Sequence, residues 1–273
     1  HIPILLVEQT IEYLVYQKYA QDFSLWPLKP LLYIDVLKLR LWEEYFWRKA
    51  SQLVAMSQED RRIMVKATQG HQKIGIVANG VDVDYFNRIK PQPAPCPTIL
   101  FVGNFKWLPN KDAATYLARQ IWPQIKLALP QAKLWIVGAN PTKDIQNLAS
   151  IPDVVVEGEI PDIRDAFAKS NLLLAPIRNG RGTKYKVLEA MAAGVPVVTT
   201  PLGIDGTGAV SGQHALVATS AADLASAAVK IITQPSLGQR LASAAKLLIT
   251  QKYNWQKISQ DLNHIYQSLG KTA

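Results

Sequence analysis

The residues best suited to chemistry are concentrated on one short segment in the second half of the chain. Four basic residues lie within nine positions that contain no acidic residue: Arg178, Arg181, Lys184 and Lys186. Gly180 and Gly182 interrupt them, and glycine lets a backbone approach a ligand closely. A positive field confined to a short glycine-containing loop favours a small polyanion as its ligand.

The basic loop runs into a helix that we predict over residues 183–193, with Gly194 as its C-terminal cap. The first turn of a helix offers unpaired N–H groups and the positive end of the dipole, and this combination binds phosphate. Lys184 and Lys186 oppose that dipole, and a bound diphosphate would remove the conflict. A solvated basic loop without a ligand is the alternative interpretation.

Glu189 is the acidic residue of the same predicted helix, and its sequence neighbours are apolar. A carboxylate in an apolar setting needs a hydrogen-bond donor. One interpretation is that it accepts hydrogen bonds from the hydroxyls of a ribose, as acidic groups do in other nucleotide-binding folds. The other is an internal ion pair with Lys186 or Arg181.

Short apolar strands alternate with amphipathic helices in the region that follows residue 97. Strands are predicted at residues 98–102, 134–137, 154–156, 172–175, 195–199 and 215–217. Helices are predicted at residues 112–129, 144–149, 162–169, 183–193, 221–233, 237–250 and 255–269. Pro123 should kink or divide the first of these helices. The alternation predicts an α/β fold with a doubly wound, Rossmann-like parallel sheet, in which ligands bind at the carboxyl ends of the strands.

A proline-rich linker over residues 87–97 precedes this region. Before the linker, strands are predicted at residues 4–7, 53–55 and 73–77, and helices at residues 36–51 and 58–66. Three strands are few for a self-sufficient α/β domain. We therefore expect residues 1–86 to form a partial N-terminal α/β domain.

Composition narrows the classes of function. Cys96 is the single cysteine of 273 residues, so a disulfide within the chain and a multi-cysteine metal site are excluded. The four histidines are scattered and no metal-ligand spacing occurs, so we expect neither a metal nor another cofactor. The net charge of +9 is not interleaved with aromatic residues in the way that nucleic-acid binding requires. No apolar run reaches the roughly 18 residues of a membrane span, and the first residues lack the features of a signal peptide.

Residues 98–255 resemble the donor-binding domain of family 4 glycosyltransferases, a group of retaining enzymes with the GT-B fold. The resemblance is carried by Phe-Val-Gly-Asn-Phe (101–105), Trp-Leu-Pro-Asn (107–110), Trp-Ile-Val-Gly (135–138), Gly-Thr-Lys-Tyr-Lys-Val-Leu-Glu-Ala-Met-Ala-Ala-Gly-Val-Pro-Val-Val-Thr-Thr (182–200) and Gly203. Residues 78–86 resemble the phrase at which these enzymes pass from the acceptor domain to the donor domain. The donor domain would span residues 98–253, and residues 254–273 would form the helix that returns to the acceptor domain.

The resemblance implies a nucleoside diphosphate sugar as the donor substrate and assigns roles to individual residues. Glu189 would hold the ribose, the lysines and the glycine loop would hold the diphosphate, and the segment after residue 157 would lie against the base. Donor contacts are thereby expected from Gly103, Asn104, Lys111, Gly158, Ile160, Gly180, Gly182, Thr183 and Glu189. Catalytic roles are expected for Arg181, Lys184, Lys186 and Glu189, and the cations among them would stabilise the leaving diphosphate.

This sequence departs from the family pattern at three places. Arg181 stands where many relatives have the first of two glutamates, and Asn104 stands where many have an arginine. Gln9 and Thr10 occupy the place of a common His-Asn pair in the acceptor domain.

We therefore expect a glycosyltransferase that works with retention of configuration on a saccharide or lipid-linked acceptor, in polysaccharide or glycoconjugate biosynthesis, at a cytoplasmic location. A non-catalytic nucleotide-sugar-binding module is the first alternative, and a nucleotide-sugar epimerase with the GT-B fold is the second.

Trp26, Trp42 and Trp47 lie in an unusually apolar stretch of the first domain. Packing in a core is the first explanation. Contact with a membrane surface, at the inner face, or with a lipid-linked acceptor is the second.

Overall fold

The computed structural model describes residues 2–22, 27, 29–90, 92, 96–180 and 182–269. The chain folds into two compact units. Unit 1 comprises His1–Gly80, Gly180–Thr183 and Gln256–Ala273, and unit 2 comprises Val81–Asn179 and Lys184–Trp255. The first boundary thus lies at Gly80, ahead of the proline-rich stretch, of which residues 91 and 93–95 are outside the described part.

Unit 1 contains a three-stranded parallel sheet in the order β1-β2-β3. Its elements are β1 (Leu5–Glu8), α1 (Glu12–Asp22), α2 (Lys29–Lys49), β2 (Gln52–Ala55), α3 (Gln58–Ala67), β3 (Ile74–Ile76) and, from its second residue onward, α13 (Trp255–Leu269). Trp47 and Met64 are fully buried beside Leu53 of the central strand. On a second core cluster, Ile258 of α13 packs with Val54 of the same strand. The predicted strands are confirmed within one or two residues.

Helix α1 was not predicted from the sequence, and contacts with α2 fix where it begins. Glu43 of α2 accepts hydrogen bonds from the backbone N–H groups of Glu12 (2.7 Å) and Tyr13 (3.4 Å), which are among the first residues of α1. This carboxylate therefore caps the helix from outside. Burial raises the pKa of Glu43 to about 7.

Trp47 and Trp42 of the apolar stretch have different environments. Trp47 is buried in the core, and its indole N–H donates a hydrogen bond to Oε2 of Glu8 at 2.7 Å. Trp42 lies on the outer face of α2 and is 61% exposed. Trp26 lies outside the described residues. The core explanation is thus correct for Trp47 and does not account for Trp42.

Unit 2 contains a six-stranded parallel sheet. Its strands are β4 (Thr98–Val102), β5 (Lys133–Val137), β6 (Val154–Glu157), β7 (Leu172–Ala175), β8 (Val197–Thr199) and β9 (Leu216–Val217). Its helices are α4 (Val83–Asn87), α5 (Leu108–Tyr116), α6 (Trp122–Ala128), α7 (Lys143–Gln146), α8 (Ile163–Ala168), α9 (Tyr185–Ala192), α10 (Pro201–Ile204), α11 (Ala221–Thr233) and α12 (Pro235–Lys252). The predicted α/β class with a parallel sheet is confirmed.

The strand order of unit 2 determines where a ligand can bind. The order is β6-β5-β4-β7-β8-β9, so β4 and β7 are neighbours although they are far apart in sequence. In chain order this is the 3-2-1-4-5-6 arrangement of the Rossmann fold, which reverses direction between its first and fourth strands. Ligands of such sheets bind outside the carboxyl ends of the two strands at this switch point. Here these are the loops that follow Val102 and Ala175.

The helix predicted over residues 112–129 is divided rather than continuous. Helix α5 begins four residues early, at Leu108, and a π-helical turn over Leu117–Ile121 joins it to α6. Pro123 lies in the first turn of α6. Because proline has no N–H and its ring clashes with the preceding turn, the wider π turn accommodates it. Pro123 thus divides the helix, as predicted.

Gly138 is predicted to tolerate no side chain. A Cβ built there would lie 1.7 Å from the carbonyl oxygen of Gly103, and its φ of +153° is also rare for residues with a side chain. We expect Gly138→Ala to lower the free energy of unfolding by about 2 to 4 kcal/mol, through overpacking and backbone strain. Urea denaturation measures this, with Gly158→Ala as the control because nothing lies within 4 Å of a Cβ at Gly158. Equal effects of the two substitutions would contradict the prediction.

None of the helices in the described part of the chain is both long enough and apolar enough to cross a membrane.

Candidate functional site

Two loops meet at the switch point of the unit 2 sheet. The loop after β4 begins with Gly103 and Asn104, and the segment after β7 leads through the basic residues to α9. The N–H of Gly103 donates to Val137 at 3.0 Å, which ties its loop to the neighbouring strand β5. The sheet order therefore places the residues after Val102 beside those after Ala175, as a ligand site at this edge requires.

Helix α9 holds Lys186 and Glu189 on its less buried face, where both are half-buried. Five of its eight residues are buried, namely Val187, Leu188, Ala190, Met191 and Ala192. Lys186 and Glu189 are three positions apart and so lie on the same side of the helix. At the other end, Val195 N–H donates to Ala190 and Gly194 N–H donates to Met191, with Gly194 at φ +72°. This is a Schellman cap, and it confirms Gly194 as the predicted C-terminal cap.

The helix starts two residues later than predicted. Lys184 is its N-cap residue and makes no side-chain capping hydrogen bond, while Lys186 is its second residue. The first turn contains no acidic residue. The cation at Lys186 therefore opposes the helix dipole, as the sequence predicts.

The ammonium group of Lys186 contacts an amide oxygen and an aromatic ring in the described part of the chain. Its Nζ donates to Oδ1 of Asn110 at 2.6 Å and lies 4.5 Å from the centre of the Phe101 ring. Burial lowers the pKa of Lys186 to about 7, with Lys184 acting in the same direction and Glu189 opposing both. Burial also lowers the pKa of Lys184, and Asp205 partly offsets this. An anion bound beside either lysine would therefore stabilise its charged form and raise its pKa.

The carboxylate of Glu189 makes no hydrogen bond and no ion pair within 4 Å among the described residues, while its backbone oxygen accepts from the N–H of Ala193 at 2.8 Å. Burial raises the pKa of Glu189, and Lys186 acts in the opposite direction. The proposed internal ion pair with Lys186 is not formed, because Lys186 donates to Asn110 instead. A pair with Arg181 lies outside the described residues. The carboxylate of Glu189 can therefore accept hydrogen bonds from a ligand.

The glycine loop adopts the backbone conformation that glycine favours. Gly180 has φ +105° and Gly182 has φ +79°. These residues and Thr183 belong to unit 1, where Asn79 Nδ2 donates to the hydroxyl of Thr183 at 3.0 Å. Arg181, which lies between the two glycines, is outside the described residues.

Arg178 is engaged within unit 2. It forms a two-point ion pair with Asp112 of α5, at 3.1 and 2.5 Å, and its guanidinium lies 4.0 Å above the ring of Tyr116. Because Asp112 neutralises it, Arg178 adds less to the positive field than the sequence run suggests. Asp112 and Asn110 were missed from the sequence. The Trp-Leu-Pro-Asn motif could have pointed to Asn110, since it follows the glycine that ends β4.

The remaining predicted donor residues lie along the same carboxyl edge of the sheet. Asn104 is exposed, and Lys111 is half-buried near the start of α5. Gly158 and Ile160 follow β6, which is the edge strand, two places from β4. The N–H of Gly138 donates to the carbonyl of Gly158 at 3.3 Å, so the loops after β5 and β6 are joined.

A metal site is not evident in the ranges that the structure describes, where no three His, Cys, Asp or Glu side chains cluster suitably.

The sequence matches the family model described as Glycosyl transferases group 1 over residues 96–234. A phosphatidyl-myo-inositol mannosyltransferase of Mycobacterium leprae is 27% identical over 245 residues, which cover 86% of this chain and 63% of that protein. A glycogen synthase of Mycobacterium tuberculosis is 33% identical over 207 residues, which cover 72% of this chain and 49% of that protein. The chain thus spans less than two thirds of the length of these relatives.

Solved structures of similar fold include a sucrose-phosphate synthase of Thermosynechococcus elongatus, with TM-score 0.75 and 18% identity, covering 98% of this chain and 68% of that one. The Anabaena protein HepE, solved in complex with UDP and glucose, has TM-score 0.69 and 16% identity, covering 97% of this chain and 72% of that one. These likenesses confirm the predicted GT-B-like fold class. The family match includes β4 to β9, the strands that build the candidate site, and the chain belongs to the group 1 glycosyl transferases.

Proposed function

We propose that this chain binds a nucleoside diphosphate sugar and takes part in transfer of its sugar to an acceptor with retention of configuration. The observation that carries the proposal is the juxtaposition of Lys186 and Glu189 on one face of α9. That helix follows β7 at the switch point of the sheet. A cation for the diphosphate and an unpaired carboxylate for the ribose are thereby presented together.

The residues of unit 2 would act mainly on the leaving group. As the bond between the sugar and the diphosphate breaks, negative charge develops on the diphosphate. Lys186 and Lys184, with the N–H groups of the first turn of α9, would stabilise that charge without moving. The donor needs no metal in this scheme, because the lysines supply the positive charge.

Family membership and the relatives support the substrate classes. The solved HepE complex contains UDP and glucose, and the names of the two curated relatives point to a lipid acceptor and a polysaccharide product. We propose a saccharide or lipid-linked acceptor, in polysaccharide or glycoconjugate synthesis on the cytoplasmic side.

The test is turnover of a panel of donors, UDP-glucose, UDP-N-acetylglucosamine and GDP-mannose, with simple glycoside and lipid acceptors. Release of the nucleoside diphosphate together with an α-linked product from an α-linked donor, seen by proton NMR, supports the proposal. A β-linked product contradicts retention. Binding without turnover favours the non-catalytic module, and an isomerised nucleotide sugar favours the epimerase.

We also propose that the outer face of α2 contacts a membrane surface. Exposed apolar and aromatic residues follow one another at helical spacing, and the rings of Trp42 and Phe46 stack at 5.7 Å. The apolar residues of this outer face are Leu37, Leu41, Trp42, Tyr45 and Phe46, with Lys38 and Lys49 on the same helix. Aromatic rings with lysines are typical of helices that lie in the interface of anionic lipids.

Replacing Trp42 and Phe46 together by serine is expected to lower binding to phosphatidylglycerol vesicles by about tenfold or more, because two large apolar groups are lost. Cosedimentation measures this. Tyr266→Ser is the control, since Tyr266 is equally exposed on α13. The membrane proposal would be contradicted if the wild-type protein does not bind the vesicles, or if it forms oligomers through this face instead.

A further inference from the structure

Asn110, near the start of α5, is held at both ends of its side-chain amide. Its Oδ1 accepts from Nζ of Lys186 at 2.6 Å, and its Nδ2 donates to the backbone oxygen of Asn104 at 2.8 Å. The second bond fixes which way the amide points, because only the NH₂ end can donate to a carbonyl. The oxygen of Asn110 is therefore directed at Lys186 rather than free to turn away.

Gly103 makes room for this arrangement. A Cβ at Gly103 would lie 3.0 Å from Cγ of Asn110, closer than side chains normally approach. The Lys186 ammonium lies between this amide and the Phe101 ring, which comes from β4. Three separate elements, β4, α5 and α9, thus fix the position of one cation.

The chemical nature of the partner matters as much as its position. A neutral amide oxygen accepts one hydrogen bond from an ammonium group and leaves its charge and its other two donors available. Arg178 shows the opposite case, because its partner Asp112 is a carboxylate that neutralises it. Arg178 is therefore neutralised by an ion pair, whereas Lys186 keeps its positive charge beside a neutral partner.

We infer that Asn110 is a positioning residue, whose amide oxygen holds the Lys186 ammonium where it can meet the diphosphate of the donor. This inference rests on the proposed function for the identity of the ligand. Asn110 acts through Lys186 and does not itself need to touch the donor.

The arrangement has a consequence for pH. Burial lowers the pKa of Lys186 to about 7, and the charged groups that act on it are Glu189 of α9 and Lys184, the N-cap residue of that helix. A bound diphosphate favours the protonated lysine, so binding above pH 7 must take up a proton. Affinity should therefore fall as pH rises from 6 to 9, at most about tenfold per pH unit for one linked proton.

Two substitutions at Asn110 should move this pH dependence in opposite directions. The hydrogen bond to Asn110 favours the charged form of Lys186. Asn110→Ala removes this bond, so the midpoint of the pH dependence shifts to lower pH. Asn110→Asp supplies a carboxylate, so the midpoint shifts to higher pH, while affinity at pH 6 falls because the lysine is neutralised. A merely structural role for Asn110 would not produce shifts of opposite sign.

The experiment is calorimetric titration with UDP and with GDP between pH 6 and 9, in pairs of buffers that differ in ionisation enthalpy. Asn147→Ala is the matched control, because Asn147 is exposed and precedes β6 on a short 3-10 turn. We expect at least about tenfold weaker binding of one nucleotide by both Asn110 variants at pH 6. We also expect proton uptake with opposite shifts of its midpoint, and an unchanged control.

Titration of the Lys186 side-chain carbons by NMR, without ligand, separates failure of the inference from failure of the proposed function. Wild-type protein that binds neither nucleotide overturns the proposed function, while opposite NMR shifts in the two variants would still support Asn110 as the residue that sets Lys186. A Lys186 titration that is the same in wild type and both variants overturns the inference, whatever the nucleotide binding.

Discussion

Replacing Glu189 by glutamine is expected to weaken binding of the nucleoside diphosphate by about 10- to 100-fold. Hydrogen bonds to a charged group contribute about 1.5 to 3 kcal/mol, and the carboxylate of Glu189 is proposed to accept them from the ribose. Glutamine keeps the size of the side chain, so the packing of α9 stays intact. Isothermal titration of wild type and variant with the nucleotide measures the ratio.

Ligand analogues make this prediction specific. Wild-type protein should lose a similar factor when the 2′- or 3′-hydroxyl of the nucleotide is absent, whereas Glu189→Gln should distinguish the analogues much less, because its neutral amide oxygen is a weaker acceptor than the carboxylate. Affinity for inorganic pyrophosphate should not fall in the variant. A variant that still discriminates the deoxy nucleotides would show that Glu189 does not bind the ribose.

Replacing Lys186 by methionine is expected to separate function from stability. Nucleotide-dependent turnover should fall about 100- to 1,000-fold, since a preorganised donor to the developing charge is lost. The folded protein should nevertheless become more stable at pH 6, by roughly 1 to 4 kcal/mol after allowance for screening, because a buried cation is removed. Methionine can also pack against the Phe101 ring.

The sign of the stability effect follows from the pKa of Lys186, which burial lowers to about 7 from the 10.5 of an unperturbed lysine. Below pH 7 the folded wild type carries the full cost of the buried charge. Between about pH 7 and 10.5 the folded state sheds the proton before the unfolded state does, so wild-type stability rises with pH. The advantage of Lys186→Met should therefore shrink over this range in urea denaturation. A variant less stable than wild type at pH 6 would contradict the assignment.

The sheet of unit 2 could be predicted because its strands are short apolar runs that alternate with amphipathic helices. Thr98–Val102 and Leu172–Ala175 agree with the predicted bounds. The pairing of β4 with β7 could not be predicted from hydrophobic periodicity alone, since it depends on the topology of the crossover connections. It was implied only by the resemblance to a known fold.

The helix boundaries show where local signals are insufficient. Helix α9 was expected from Thr183 and begins at Tyr185, and the hydroxyl of Thr183 instead accepts from Nδ2 of Asn79, both residues belonging to unit 1. Helix α5 was expected from Asp112 and begins at Leu108, where Pro109 fits the first turn. Such differences arise from contacts between residues distant in sequence.

The candidate site could be predicted in part. Lys186 and Glu189 stood out because charged residues interrupt an apolar helix, and the structure leaves both half-buried on the same face of that helix. Asn110 carried a weaker signal, because it belongs to the Trp-Leu-Pro-Asn motif but its residue type alone does not indicate a partner for Lys186. Its contact with Lys186 spans 76 positions of sequence, and only the tertiary fold brings the two together.

The most direct test of the central claim is an NMR titration of the isotope-labelled full chain with UDP and with GDP. We predict saturable shifts for one nucleotide at Gly103, Lys186 and Glu189, at the carboxyl ends of β4 and β7 and along α9, with α2 unaffected. Absence of saturable shifts for both nucleotides, or shifts confined to residues away from that edge of the sheet, would contradict the assignment of a donor site to unit 2.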